Sequence, residues 1–126
     1  MIEVTGLQKS FGEVHAVSDV SFEARDGRVT GLVGPNGAGK TTALRMICAM
    51  VKPDAGVARV DGHDAVTDAD EVRRRIGVLP DTRGLYPRLT SREHVRYFGR
   101  LHGLRGAPLE KNIDELVELL DMKDIE

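Results

Sequence analysis

The sequence predicts an α/β fold: an antiparallel β subdomain joined to a strand–loop–helix core, followed by the start of a helical subdomain. Three observations predict it. The first 24 residues hold two alternating stretches, Ile2 to Leu7 and the Val20, Phe22, Ala24 series, the period expected of half-buried strands. The segment Gly34-Pro35-Asn36-Gly37-Ala38-Gly39-Lys40-Thr41-Thr42 lies between an apolar stretch and a helical one. The last third carries Ile113, Leu116, Val117 and Leu120 at i, i+3, i+4 and i+7, the apolar stripe of an amphipathic helix.

The elements follow in order. Ile2–Leu7 is the first strand, and Ser10-Phe11-Gly12 reads as a turn. Ala16–Ala24 contains the second strand. Asp26-Gly27 is a hairpin signal, since both residue types tolerate positive φ, and it hands the chain to a buried strand at Val29–Val33. Thr42–Met50 reads as the helix leaving the glycine-rich segment, and Lys52 to Gly56 breaks regular structure. Val57–Val60 is a short strand closed by Asp61-Gly62. Thr67 is the expected N-cap of a short helix, residues 68–75. Ile76–Leu79 reads as a buried strand stopped by Pro80. Thr90 and Glu93 form a T-x-x-E capping box for a helix running to His102 and ended by Gly103. A loop through Pro108 precedes the last helix.

The glycine-rich segment matches the pattern G-x-x-x-x-G-K-[ST] in full. Its chemistry follows from its residue types. Gly37 and Gly39 let the backbone turn through positive φ and approach an anion closely. Successive N–H groups then form an anion-binding nest, reinforced by the positive end of the following helix. Lys40 is placed to reach the β- and γ-phosphates of a nucleoside triphosphate, Thr41 to ligate Mg²⁺, and Thr42 to stand near the α-phosphate. The pattern alone does not separate ATPase, GTPase and kinase, but the chain has no N-K-x-D base-reading motif, which disfavours a GTPase.

Composition bounds the remaining classes. With 18 Lys and Arg against 20 Asp and Glu, the net charge of −2 offers no broad basic surface for nucleic acid, so no nucleic-acid partner is expected. No apolar run is long enough to cross a bilayer and the N-terminus lacks a cationic, apolar leader, so a cytoplasmic location is expected. Cys48, the single cysteine, reads as a small buried hydrophobe. The four histidines show no metal-ligand spacing. Arg73-Arg74-Arg75 invites a phosphate-binding reading, but Asp68, Asp70 and Glu71 on the same short helix favour a solvated, internally balanced face.

Taken together, three blocks resemble the N-terminal part of an ABC transporter ATP-binding domain, a P-loop NTPase of ABC type. They are Ile2 to Gly12 with Ala16 to Phe22; Gly31-Leu32-Val33 leading into Gly34 to Thr42; and Pro53 to Gly56, Val60-Asp61-Gly62 and Ile76 to Pro80. The stretch Gly84 to Thr90 is most similar to the sodium- and drug-exporter branch. The resemblance implies that residues 1–90 hold the β subdomain and P-loop core, and residues 91–126 the start of the helical subdomain.

The resemblance also implies roles. Phe11 would stack on adenine, against a competing reading as a packed turn residue, and Val17 would flank the nucleotide. Gly34, Pro35, Asn36, Gly37, Ala38, Gly39, Lys40, Thr41 and Thr42 would bind ATP, with Lys40 also acting in catalysis. Asp81 stands where the family usually has a glutamine that senses Mg²⁺ and the attacking water. It is one methylene shorter and charged, and is either a metal or water sensor or a turn residue after Pro80. The residues from Arg83 to Leu89 would face membrane-spanning permease subunits, with Leu85 and Tyr86 as contacts or as core. The protein would dimerise with a second ATPase domain and lie at the inner face of the membrane through the permease. The signature motif, the Walker B aspartate and the catalytic glutamate of the family do not occur in these residues, so a truncated domain is expected, inactive alone. A soluble, non-transport ABC ATPase and a nucleotide-binding module without activity remain the alternatives.

Overall fold

The computed structural model describes residues 1–80 and 84–122. The chain divides into two compact units, Met1–Val78 and Leu79–Glu126.

The first unit is built on an antiparallel sheet of order β2-β1-β3-β4, with β1 Ile2–Phe11, β2 Val14–Ala24, β3 Ala55–Val60 and β4 His63–Asp64. β1 outruns the expected strand by four residues, because its pairing with β2 continues to Phe11↔Val14 and the turn tightens to Gly12-Glu13. Val20, Phe22 and Ala24 alternate with exposed neighbours as their spacing predicts. The two-residue hairpin signal works at Asp61-Gly62, where φ values of 49° and 81° join Val60 to its partner His63 in β4, a strand too short to show in the sequence pattern. Asp26-Gly27 forms a turn but no hairpin.

Helix α1, Lys40–Ile47, lays Ala43, Met46 and Ile47 on the sheet, and α2, Ala69–Arg75, contributes Val72. These join Val4, Leu7, Val17, Ala58, Val60 and Ala65 in one core. The N-cap of α2 is Asp68 rather than Thr67. The Thr67 N–H instead donates to the Asp64 carboxylate, which also accepts from Val66. The arginine run is balanced as expected: Arg73 pairs with Asp70, and Arg74 and Arg75 both pair with Glu71.

Two expected strands are not formed. Residues 29–33 and 76–79 run without ladder pairing. Their apolar patterns are those of buried strands, which need a hydrogen-bonded neighbour and cover on both faces. Among the described residues no strand lies beside either segment. Val29 and Leu79 are accordingly 103% and 98% exposed.

The second unit pairs α3, Ser91–Leu101, with α4, Gly106–Leu119. The capping box is present in full: Thr90 accepts from the Glu93 N–H and Glu93 accepts from the Thr90 N–H. α4 begins at Gly106, inside the expected loop, and tolerates Pro108 because a first-turn N–H has no helical acceptor anyway. Its buried stripe is Leu109, Ile113 and Val117, packed with Val95 and Met122, while Leu116 and Leu120 stay exposed. Arg96 clamps Glu110 through two bonds of 2.7 and 2.8 Å, and Arg92 reaches Asp114 at 2.8 Å. Gly99 permits the close packing: a Cβ there would lie 2.4 Å from Leu109 Cδ1.

Candidate functional site

The segment from Gly34 to Thr42 forms a closed loop that runs into α1. Gly37 and Gly39 have φ values of +85° and +84°, and the Ala38 N–H closes a turn on the Pro35 carbonyl at 3.1 Å. Lys40 folds back over the loop. Its ammonium donates to the Gly34 carbonyl at 2.5 Å and the Pro35 carbonyl at 2.6 Å. α1 takes its first bond from the Ala43 N–H to the Gly39 carbonyl at 2.8 Å. The N–H groups of Lys40, Thr41 and Thr42 therefore precede the helical ladder and are available to a ligand.

Gly39 is fixed by more than its dihedral. A Cβ on it would lie 2.0 Å from the Ala16 carbonyl oxygen and 3.0 Å from Val17 Cγ2. The loop is thus seated directly on β2. The register explains the fit: Lys9↔Val17 is followed by Ser10↔His15, so Ala16 is an extra residue on β2. Bulges of this kind bend a strand and redirect its groups, and they recur beside functional sites.

A cleft of about 310 Å³ opens over this junction, lined by Asn36, Gly37, Gly39, Lys40, Thr41 and Thr42 from the loop and by Val14, His15 and Ala16 from β2. Phe11, 53% exposed, does not line the cleft itself but pairs across the hairpin with Val14, which does. The side chain of Val17 lies in the core, under the loop rather than on the cleft. The cleft residues His15 and Ala16 were not visible in the sequence, since their placement depends on the bulge. His15 is held by its Nδ1, 2.9 Å from Ser10 Oγ.

The donor set is hydroxyls, early-helix N–H groups and one ammonium around a backbone that leaves no room for a Cβ at Gly39. It fits a polyphosphate and the hard cation that accompanies one. Among the described residues no cluster of three or more His, Cys, Asp or Glu could hold a metal by itself. Asp81 and Arg83 lie outside the described residues.

Of the remaining candidates, Cys48 is half-buried, while Leu85 and Tyr86 are 68% and 51% exposed. Burial pushes the Cys48 thiol above its ordinary pKa, which suits an inert side chain. In the second unit a larger, mainly apolar cleft of about 580 Å³ is lined by Leu85, Val95, Phe98, Leu109 and Ile113 among others. Beside it Tyr86 packs its ring against His94 and Tyr97 at 5.5 and 5.6 Å. Among the described residues no helix is long and apolar enough to cross a membrane.

Comparison with known proteins bears on the same segment. The ABC transporter family profile matches residues 17–126. The chain is 44% identical to the ABC transporter ATP-binding protein NatA of Bacillus subtilis (strain 168), covering 98% of this chain and 52% of that protein. It is 41% identical to the daunorubicin resistance ATP-binding protein DrrA3 of Streptomyces coeruleorubidus, covering 98% of this chain and 39% of that protein. A solved ATP-binding subunit of an ABC transporter superposes with a TM-score of 0.80 at 30% identity, over 94% of this chain and 49% of that one. The ATP-binding cassette MJ0796, solved as a dimer in a post-hydrolysis state bound to ADP and Pi, gives a TM-score of 0.79 at 26% identity, over 98% of this chain and 59% of that one. The chain spans about half the length, or less, of the curated relatives it matches. On the glycine-rich loop, the sheet that seats it and these similarities, the chain belongs to the ABC transporter family.

Proposed function

We propose that the protein is the ATP-binding subunit of an ABC-type exporter. In this reading it binds ATP with Mg²⁺ and, when complete and dimerised, couples hydrolysis to the movement of membrane-spanning permease subunits at the inner face of the membrane. The observation that carries the reading is the loop from Gly34 to Thr42, closed on β2 with its lysine turned inward. The names of the relatives favour export over other uses of the fold, since they include drug-resistance and Nod factor export proteins.

In this reading Gly37 to Thr42 bind the triphosphate through backbone N–H groups. The Lys40 ammonium exchanges the neutral Gly34 and Pro35 carbonyl acceptors for anionic β- and γ-phosphate oxygens, so that both partners of each bond are charged. Thr41, and Asp81 beside it in role, would hold Mg²⁺, which when bound neutralises and orients the phosphate oxygens. Phe11 supplies an aromatic face for adenine beside the cleft. Val17 supports the loop from below. Phosphoryl transfer also needs an oriented water and further charge stabilisation, so the 126 residues alone are expected to bind ATP with background turnover. Leu85 and Tyr86 are proposed to face the permease.

The reading is tested by equilibrium titration of the chain with ATP and with inorganic tripolyphosphate, each with Mg²⁺. Phe11→Ala is expected to weaken ATP more than tripolyphosphate. Equal losses for the two ligands would remove the base from the site.

A further inference from the structure

The end of β1 is held by an ion pair that the proposed phosphate chemistry does not use. Lys9 and Phe11 are two residues apart on β1 and so share a face of the strand. The Lys9 ammonium sits 5.3 Å from the centroid of the Phe11 ring. The same ammonium donates to Asp54 Oδ1 at 2.8 Å, while Asp54 Oδ2 accepts the Ser10 N–H at 2.7 Å. The Asp54 N–H in turn donates to the Gln8 carbonyl at 2.9 Å. Asp54 therefore grips residues 8, 9 and 10 of β1 at once, from the loop that follows α1. Although charged, the Lys9 side chain is only 16% exposed, so its position is set by these partners rather than by solvent.

A cation within about 6 Å of a ring centroid is attracted to the ring face. One side of Phe11 is thus engaged by Lys9, and the ring is restrained in the plane it presents to a ligand. We infer that Lys9, held by Asp54, is a positioning residue for the nucleotide base: it fixes the ring of Phe11 so that one face is preset for stacking on a planar heteroaromatic base beside the phosphate cleft. The inference rests on the reading of Phe11 as the base platform. It adds a determinant of base affinity that touches neither the triphosphate nor its counter-ion. It also makes base affinity depend on a carboxylate, Asp54, 43 residues further along the chain than Phe11.

The energy of a partly exposed cation–π contact corresponds to about a two- to fivefold change in an equilibrium constant. Lys9→Met keeps the length of the stem and removes the charge. It is expected to weaken ATP about two- to fivefold more than it weakens tripolyphosphate. Lys9→Arg should restore the ATP preference, because a guanidinium can pair with the carboxylate and lie on the ring together. The chain has no tryptophan, so Phe11→Trp places a single fluorescent reporter on the platform. Adding Lys9→Met in that background should lower the indole anisotropy in the free protein, and Asp54→Asn should lower it likewise.

The two readings fail differently. Equal loss of ATP and tripolyphosphate in Phe11→Ala refutes base stacking, and this inference with it. A selective loss in Phe11→Ala with none in Lys9→Met, or with unchanged anisotropy in the tryptophan background, refutes the positioning role alone. An equal loss of both ligands in Lys9→Met also refutes it, since that is the mark of a general structural role.

Discussion

Gly39→Ala and Gly37→Ala form a matched pair that isolates the seating of the loop on β2. Both glycines have nearly the same left-handed φ, +84° and +85°. An L-residue held there costs about 1–2 kcal/mol, and the loss of unfolded-chain freedom on replacing glycine by alanine is common to both. They differ in surroundings. The added Cβ at position 37 meets nothing within 4 Å, whereas at position 39 it lies 2.0 Å from the Ala16 carbonyl oxygen and 3.1 Å from its carbon. Both atoms are backbone in a paired strand, so no side-chain rotation relieves the overlap, and the loop or β2 must move by more than about 1 Å. Overpacking of this kind costs about 1–3 kcal/mol. Gly37→Ala should therefore lower stability by about 1–2 kcal/mol and Gly39→Ala by about 2–5 kcal/mol. That is a large part of the total stability of a small domain. Urea unfolding without nucleotide measures both, the difference appearing in the midpoint at constant slope. Gly39→Ala should also lose tripolyphosphate binding more completely than Gly37→Ala. Equal unfolding free energies for the two variants, within about 0.5 kcal/mol, would show that the loop is not seated on the Ala16 carbonyl.

Three further outcomes are expected. Thr90→Ala removes one bond of the capping box and loosens the other, so α3 should lose about 0.5–2 kcal/mol, read as faster hydrogen exchange at the amides of residues 91–95; unchanged protection would count against the cap. The Lys9 ammonium, and then the Ser10 N–H, hold the Asp54 carboxyl below its ordinary pKa, so its contribution is present above about pH 4. That contribution is lost as pH falls through the lowered value. Asp54→Asn should therefore flatten the fall in stability below about pH 4, and a variant as acid-sensitive as the parent would contradict the pairing. Gly99→Leu should separate α3 from α4, because even a Cβ meets Leu109 at 2.4 Å; an unchanged far-ultraviolet melt of the helical signal would argue that Leu109 simply moves aside.

Much of the site was legible in the chain because local chemistry dictates it. The glycine spacing, Lys40 and Thr41 specify the loop whatever surrounds it, and Thr90 with Glu93 specifies the start of α3. Less legible was whatever depends on pairing between distant strands. The bulge at Ala16 follows from the register of β1 and β2, so the positions of His15 and Ala16 on the cleft, and of Val17 beneath it, could not be read from residue types. Residues 29–33 and 76–79 show the opposite failure. Their composition says strand, but a strand is a relation between segments, and among the described residues neither has a neighbour. On α4 the stripe shifted to Leu109, Ile113 and Val117 because α3 packs on that face. The Lys9–Asp54 pair was hidden for the same reason, joining residues 45 positions apart.

Calorimetric titration of the chain with ATP and Mg²⁺, set beside the same titration of Lys40→Ala, bears most directly on the phosphate-binding role of residues 34–42. The ammonium now satisfied by the Gly34 and Pro35 carbonyls is the one full positive charge the loop brings to the triphosphate. Charge-assisted bonds of this type contribute about 1.5–3 kcal/mol each. One-to-one binding that weakens by at least about tenfold in Lys40→Ala is the predicted result. ATP binding of equal affinity in parent and variant would contradict it, and would place the nucleotide somewhere other than this loop.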